Sequence, residues 1–225
     1  MKKIFFLFLF ILSLNAENIG IESNITKENN ISYMAEQCMN YNSKENCQQS
    51  LKLLSQDKNK SIKLRLIYTN KLCDLNDSNR CKELGDIYYK PELNQTKNYK
   101  KAKIYFEKSC ELNNSDGCIA FGLLYEYGNG VDKNLTIAQN IYKKACDLGE
   151  NLGCDSYKNL KYIKDLNVQC KNNNSKACVN LGFLEAFSDE HVNIKKVKQY
   201  FKKACDLGNK KGCDAYKSIL NGTFF

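Results

Sequence analysis

Apolar and aromatic residues return along this chain in two arrangements. In the first they stand eight, five and four positions ahead of a cysteine: Ala102, Tyr105 and Phe106 before Cys110; Ala138, Ile141 and Tyr142 before Cys146; Val197, Tyr200 and Phe201 before Cys205. That spacing lies on one face of a helix. In the second, a glycine follows a cysteine by four residues with Leu or Phe just before it: Cys81 to Gly85, then Tyr88; Cys118 to Gly122, then Tyr125; and Cys178 to Gly182. A glycine inside a helix costs about 1 kcal/mol relative to alanine, so its return in register predicts a notch where two helices approach closely. No useful length of the chain alternates with the period of a strand. The predicted fold class is all-α.

The cysteines punctuate this pattern. Twelve of them form six couples: Cys38 with Cys47, Cys73 with Cys81, Cys110 with Cys118, Cys146 with Cys154, Cys170 with Cys178, and Cys205 with Cys213. Eight residues of continuous helix span about 12 Å, whereas a disulfide needs Cα atoms roughly 4.4 to 6.8 Å apart. The chain must therefore reverse between the two members of a couple, and each couple is expected to clamp a helix-turn-helix corner. By the loop-entropy model each closure contributes roughly 2.5 kcal/mol. Metal binding would need close-set ligand pairs or several histidines, and His191 is the only histidine. No metal and no cofactor is expected.

Turn residues stand where such a scheme needs them. Gly128-Asn129-Gly130 separates the two helices of one repeat, Gly149 and Gly208 follow Cys-Asp-Leu, and Pro91, the one proline, falls between helices. A helical pair of about 36 residues cannot bury its apolar face alone, so residues 31–225 are expected to stack as an αα superhelix, a TPR-like repeat solenoid. One repeat is short. Cys154 and Cys170 are only 16 residues apart, room for one helix of about 24 Å. A shared single helix or a hinge is expected near 154–170, dividing the solenoid into two modules, and Cys213 to Leu220 is expected to form a closing cap helix.

The chain's start reads as a secretory signal peptide over residues 1–16: Lys2 and Lys3, an eleven-residue apolar stretch from Ile4 to Leu14, and a small residue at Ala16. Eleven residues are too few for a membrane helix of about 20. Residues 17–30 form an N-terminal lead, no later run has membrane length, and a periplasmic or secreted monomer is expected. Removing residues 1–16 takes away two lysines and leaves a net charge of +7, against +9 for the whole chain. Both signs are spread along the sequence, and Arg65 and Arg80 are the only arginines, so no nucleic-acid partner is expected.

The pattern C-x-x-[LF]-G-x-x-Y followed by A-x-x-x-Y-x-K-A-C-D-L-G-x-x-x-G-C, clearest from Cys118 to Cys154, resembles the Sel-one-like repeat family. The cysteine couples resemble that family's disulfide-rich exported branch, the Helicobacter cysteine-rich protein family. The resemblance covers about residues 30 to 220. It departs in the short repeat and at Leu51, Lys158 and Lys217, where the glycine would stand. It implies a penicillin-binding or β-lactam-hydrolysing activity. The residues supply little for that chemistry: Ser-x-x-Lys occurs once, at Ser55-Gln56-Asp57-Lys58, Lys-Thr-Gly is absent, and paired cysteines leave no thiol nucleophile. No catalytic residue is assigned.

Nine Asn-x-Ser/Thr triplets begin at Asn24, Asn30, Asn59, Asn76, Asn94, Asn113, Asn134, Asn173 and Asn221. All but Asn173 and Asn221 have an acid two residues earlier: Glu22, Glu28, Asp57, Asp74, Glu92, Glu111 and Asp132. At the chain's acidic content about one such acid is expected by chance, so the seven resemble the extended acceptor sequence of a bacterial, Campylobacter-type oligosaccharyltransferase. The function expected is a scaffold that holds a peptide, partner protein or peptidoglycan fragment in the groove lined by the helices after Cys47, Cys81, Cys118 and Cys178, with Tyr88, Tyr125 and Phe187 as candidate binding residues. The alternatives are the β-lactam hydrolase and a purely structural envelope protein.

Overall fold

The computed structural model describes residues 33–55, 62–90, 97–187 and 192–224. The candidate leader at 1–16, Asn24, Asn30, Asn59, Asn94, Gln56 to Lys58, Pro91 and His191 lie outside them. Among the described residues there are eleven helices and no strand: α1 (33–41), α2 (Lys44–Ser55), α3 (Ile62–Asp74), α4 (Ser78–Tyr89), α5 (Tyr99–Glu111), α6 (Ser115–Tyr127), α7 (Leu135–Asp147), α8 (Asn151–Lys171), α9 (Ser175–Ala186), α10 (Ile194–Asp206) and α11 (Lys210–Leu220). The fold is all-α, as its periodicity requires.

All six cysteine couples are disulfides, with Cα atoms 4.3 to 4.8 Å apart. Five of the corners they clamp share one backbone solution. At the corner between α5 and α6, the Asn113 N–H donates to the Cys110 carbonyl at 3.0 Å and the Asn114 N–H to the Ser109 carbonyl at 3.1 Å. Those are the two bonds of a Schellman motif, which needs a left-handed residue between helix end and exit. Asn113 supplies it at φ 61°, and Asn76 (60°), Gly149 (91°), Asn173 (64°) and Gly208 (78°) do so at the others. The next residue then caps the following helix. Asp77, Asn114, Asn174 and Asn209 accept from the backbone N–H of Arg80, Gly117, Ala177 and Gly212. Only Glu150, at the start of α8, makes no such bond.

Glycine notches bring the helices together. A Cβ on Gly182 would lie 2.6 Å from the buried Phe201 ring, and one on Gly85 would run into Phe106. A second set sits just before the cysteine: a Cβ on Gly153 or Gly212 would lie 2.6 Å from the Cβ of Ala145 or Ala204, and one on Gly117 would meet the Ser109 side chain.

The chain divides into two compact units, residues 1–133 and 134–225. In the first, α2 and α3 close over Leu51, Leu54, Tyr68 and Leu72 beside the first disulfide. Leu84 packs with the second disulfide against Leu66, Tyr105 and Leu112. In the second unit, Val197, Phe201, Val179, Leu181 and Leu166 form the core, with Ile163, Tyr216 and Phe224 packed against it. The short repeat is one continuous 21-residue helix, α8, with Cys154 near its start and Cys170 near its end. The division between units falls at 133/134 rather than within 154–170, because α8 runs through the short repeat unbroken.

Because a Cβ on Gly182 would meet the Phe201 ring, Gly182→Ala should destabilise the protein by about 1 to 3 kcal/mol, as overpacking does, although alanine is the better helix former by about 1 kcal/mol. Urea unfolding of the oxidised protein measures the difference. A gain in stability would show that the notch has room.

Candidate functional site

Within each unit the helices fall into two rows. In the first unit α4 touches α6, whereas α3 and α5 do not meet through their backbones; in the second α9 touches α11, whereas α8 and α10 do not. Thus α4 and α6, and separately α9 and α11, form the closer-spaced, inner row of their units, and α3 with α5 and α8 with α10 the outer row.

The more widely spaced outer row is held by a repeated side-chain bridge. The Tyr105 hydroxyl on α5 donates to Asn70 Oδ1 on α3 at 2.8 Å, and Asn70 Nδ2 donates to the Leu66 carbonyl at 2.9 Å. The same construction links α10 to α8: the Tyr200 hydroxyl reaches Asn167 Oδ1 at 3.2 Å, and Asn167 Nδ2 reaches the Ile163 carbonyl at 2.9 Å. Burial pushes the Tyr105 phenol above its ordinary pKa, and Tyr88 and Asp74 push it the same way.

Two of the candidate binding residues are committed inside the first unit. Tyr88 stacks on Tyr105 with ring centroids 5.6 Å apart and planes within 5°, and Lys101 Nζ stands 4.9 Å from the Tyr88 ring centre. Tyr125 meets Phe121 edge-on at 5.4 Å. Lys103 Nζ lies 5.9 Å over the Phe121 ring and pairs with Glu107 at 2.8 Å, the bond that chiefly raises its pKa. Both tyrosines are half-buried.

Phe187 belongs to the second unit and differs in kind. It is 72% exposed at the end of α9, stacked on Phe183 with centroids 6.2 Å apart. Phe183 is 37% exposed and meets the buried Phe201 edge-on at 5.1 Å, while Leu184 beside it is 42% exposed. The result is an apolar stripe anchored at one end in the core. Counted from the notch glycine, Tyr88 and Tyr125 occupy the third position and Phe187 the fifth, so the three are not equivalent. The counterpart of Phe187 on α6 is Tyr127, which is 42% exposed. Sequence reasoning passed over Tyr127, although counting five from Gly122 finds it.

Of the candidate acceptor asparagines, Asn76, Asn113 and Asn134 are described, and all three are exposed. Asn134 also caps α7, its Oδ1 accepting from Thr136 and Ile137 N–H at 3.1 Å. Among the described residues no group of three His, Cys, Asp or Glu could hold a metal ion, and no helix is long and apolar enough to cross a membrane.

The Sel1 repeat family model matches residues 81–114, 115–150 and 175–209. The interval left between the last two is filled almost entirely by α8. Among solved structures, cysteine rich protein B of Helicobacter pylori is 34% identical, over 57% of this chain and 92% of that protein, with a TM-score of 0.43. A protective antigen present in uropathogenic Escherichia coli strains and displaying an SLR fold is 18% identical, covering 81% of this chain and 42% of that one, TM-score 0.49. A Sel1 repeat protein from Oxalobacter formigenes is 16% identical, covering 79% and 62%, TM-score 0.40. The chain spans less than two thirds of these last two. No curated protein matches the chain.

The tyrosine bridge carries a measurable cost. Tyr105→Phe leaves Asn70 Oδ1 without its donor and should lower stability by about 1 kcal/mol in urea unfolding at neutral pH. Because the folded phenol is raised, its contribution is whole below the ordinary tyrosine value of about 10 and is lost as pH rises through the folded value. The stability gap between wild type and Tyr105→Phe should therefore shrink in strongly alkaline buffer, and a constant gap would contradict the assignment.

Proposed function

Because this chain belongs to the Sel1 repeat family, we propose that it is an exported, disulfide-stapled scaffold whose α9 side holds an extended peptide or protein segment. The observation that carries this reading is the stripe of Phe183, Leu184 and Phe187. A protein of this size rarely leaves stacked aromatic residues open to water, and exposed aromatic anchors are where binding energy concentrates. Phe183 is held by the buried Phe201, so the stripe is in place before a ligand arrives, which lowers the ordering cost of binding. Helix-pair repeats use extended surfaces of this kind.

Export belongs to the same reading. Six disulfides take up all twelve cysteines, and such bonds persist in the periplasm or outside the cell, whereas the cytosol keeps thiols reduced. The leader-like residues 1–16 agree with it, and the acid-preceded Asn-x-Ser/Thr triplets would meet a glycosylating enzyme only after export. The scaffold acts as a monomer. The β-lactam hydrolase alternative gains no support from the comparisons, and with every cysteine in a disulfide no cysteine thiolate is available as a nucleophile.

The test uses the full chain, exported and shown to be oxidised, with a photo-crosslinking residue at position 187 and a control at the exposed Lys176 on the same helix. Adducts to protein or peptide should form at 187 and not at 176. Phe187→Ser should weaken capture of the cross-linked partner about tenfold or more, or roughly 1.4 kcal/mol. Equal labelling from both positions would remove α9 as the binding side, and adducts to glycan strands alone would replace the peptide with a peptidoglycan fragment.

A further inference from the structure

Five corners of this protein are built alike, and three of them place asparagine at the left-handed position: Asn76-Asp77-Ser78, Asn113-Asn114-Ser115 and Asn173-Asn174-Ser175. In each, the middle residue caps the next helix and the serine is that helix's first residue. Capping is thus done by the neighbour, and among the described residues the amides of Asn76 and Asn113 make no side-chain hydrogen bond. All three asparagines are exposed.

The corners differ in the residue that ends the first helix, two positions before the asparagine: Asp74, Glu111 and Lys171. At the glycine corners an acid also stands there, but for a visible reason. Asp147 pairs with Lys143 at 2.6 Å and Asp206 with Lys202 at 2.7 Å, each four residues back on its own helix. At the asparagine corners the residue four back is Asn70 or Glu107, so this pairing is unavailable. Asp74 pairs instead with Lys108 of the next outer helix, at 3.9 Å, with its own side chain 75% exposed. A carboxylate at the negative end of a helix dipole is otherwise unfavourable. Its presence beside an exposed asparagine amide, without the lysine four residues back that holds it at the glycine corners, fits reading by an outside partner.

We propose that Asn76, Asn113 and Asn134 are glycosylation sites selected by the carboxylate two residues ahead of each, and that Asn173, in the same corner without that carboxylate, is left bare. The proposal rests on the export reading. The donor is a lipid-linked oligosaccharide diphosphate. The amide Nδ2 forms a bond to the sugar's anomeric carbon as the bond from that carbon to the diphosphate oxygen breaks; the polyprenyl diphosphate leaves with the electron pair, and the amide gives up one proton to a base of the transferring enzyme. The Asn134 cap survives the reaction, because Oδ1 does the accepting and only Nδ2 is substituted. Timing separates the sites. Asn76 and Asn113 lie in nine-residue loops closed by disulfides, and an acceptor must open to enter an enzyme's site, so transfer there precedes closure of the disulfide. Asn134 is in no such loop.

The experiment exports the full chain in a host carrying an acid-reading bacterial oligosaccharyltransferase and its donor, and maps occupancy by glycopeptide mass spectrometry. The acid is exchanged rather than the asparagine, which keeps the left-handed residue in place. The expected result is occupancy at Asn76, Asn113 and Asn134, at least tenfold loss at Asn113 in Glu111→Lys, and new occupancy at Asn173 in Lys171→Glu. Opening the loop with Cys110→Ser and Cys118→Ser should raise occupancy at Asn113 and leave Asn134 unchanged. A protein with six disulfides and bare asparagines, in cells that modify a reporter acceptor, would overturn the proposal while leaving export standing; equal occupancy at Asn113 and Asn173 in the wild type would also overturn it. A reduced chain retained in the cytosol would overturn export and glycosylation together.

Discussion

The structure depends on one constraint, that the chain reverse direction within the eight residues between two cysteines. A corner that leaves one helix through a left-handed residue does this in so short a span, and at four of the five like corners a side chain then caps the next helix. The disulfide closes over that corner, and the carbonyl of its first cysteine accepts the bond that sets the left-handed turn. Covalent and backbone requirements therefore meet in about six residues five times, and at four of those corners a capping side chain joins them. Stability that a small repeat cannot draw from a large core is supplied at its corners.

Between corners, packing divides into a close row and an open one. Glycine at the notch lets Phe201 and Phe106 lie directly on a helix backbone, so the helices of a pair approach closely. The outer row is left too widely spaced for backbone contact and is joined through long side chains, tyrosine hydroxyl to asparagine amide. The order matters for function: aromatic residues that serve these bridges, Tyr88 through Tyr105 for instance, are already engaged, whereas Phe187, beyond the end of the bridging pattern, faces solvent.

Much of this was legible in the chain, for physical reasons. A helix cannot place two cysteines eight apart within bonding distance, so the corners and all six disulfides follow from spacing alone. The notches at Gly85 and Gly182 follow from the cost of glycine in a helix. The candidate binding set was not legible to the same degree, because whether Tyr88 or Tyr125 is free depends on Tyr105 and Phe121, and nothing in the sequence shows which rings stack. The corner asparagines show a related ambiguity. Asn113 reads as an acceptor triplet, while its equivalence to Gly149 emerges only from the shared backbone angle. Asparagine suits both roles, and residue identity does not choose between them.

Helix α8 carries one clamp near each end, and its length then has a rotational meaning. Sixteen residues at about 100° each bring Cys170 round to roughly 160° from Cys154. The two disulfides leave opposite sides of one rod, one holding α7 and the other α9. The rod is thus the second helix of the corner it shares with its predecessor and the first helix of the corner it shares with its successor. A single residue inserted between the cysteines would turn one clamp by about 100° and swing α9, with its exposed phenylalanines, to a different bearing from α7.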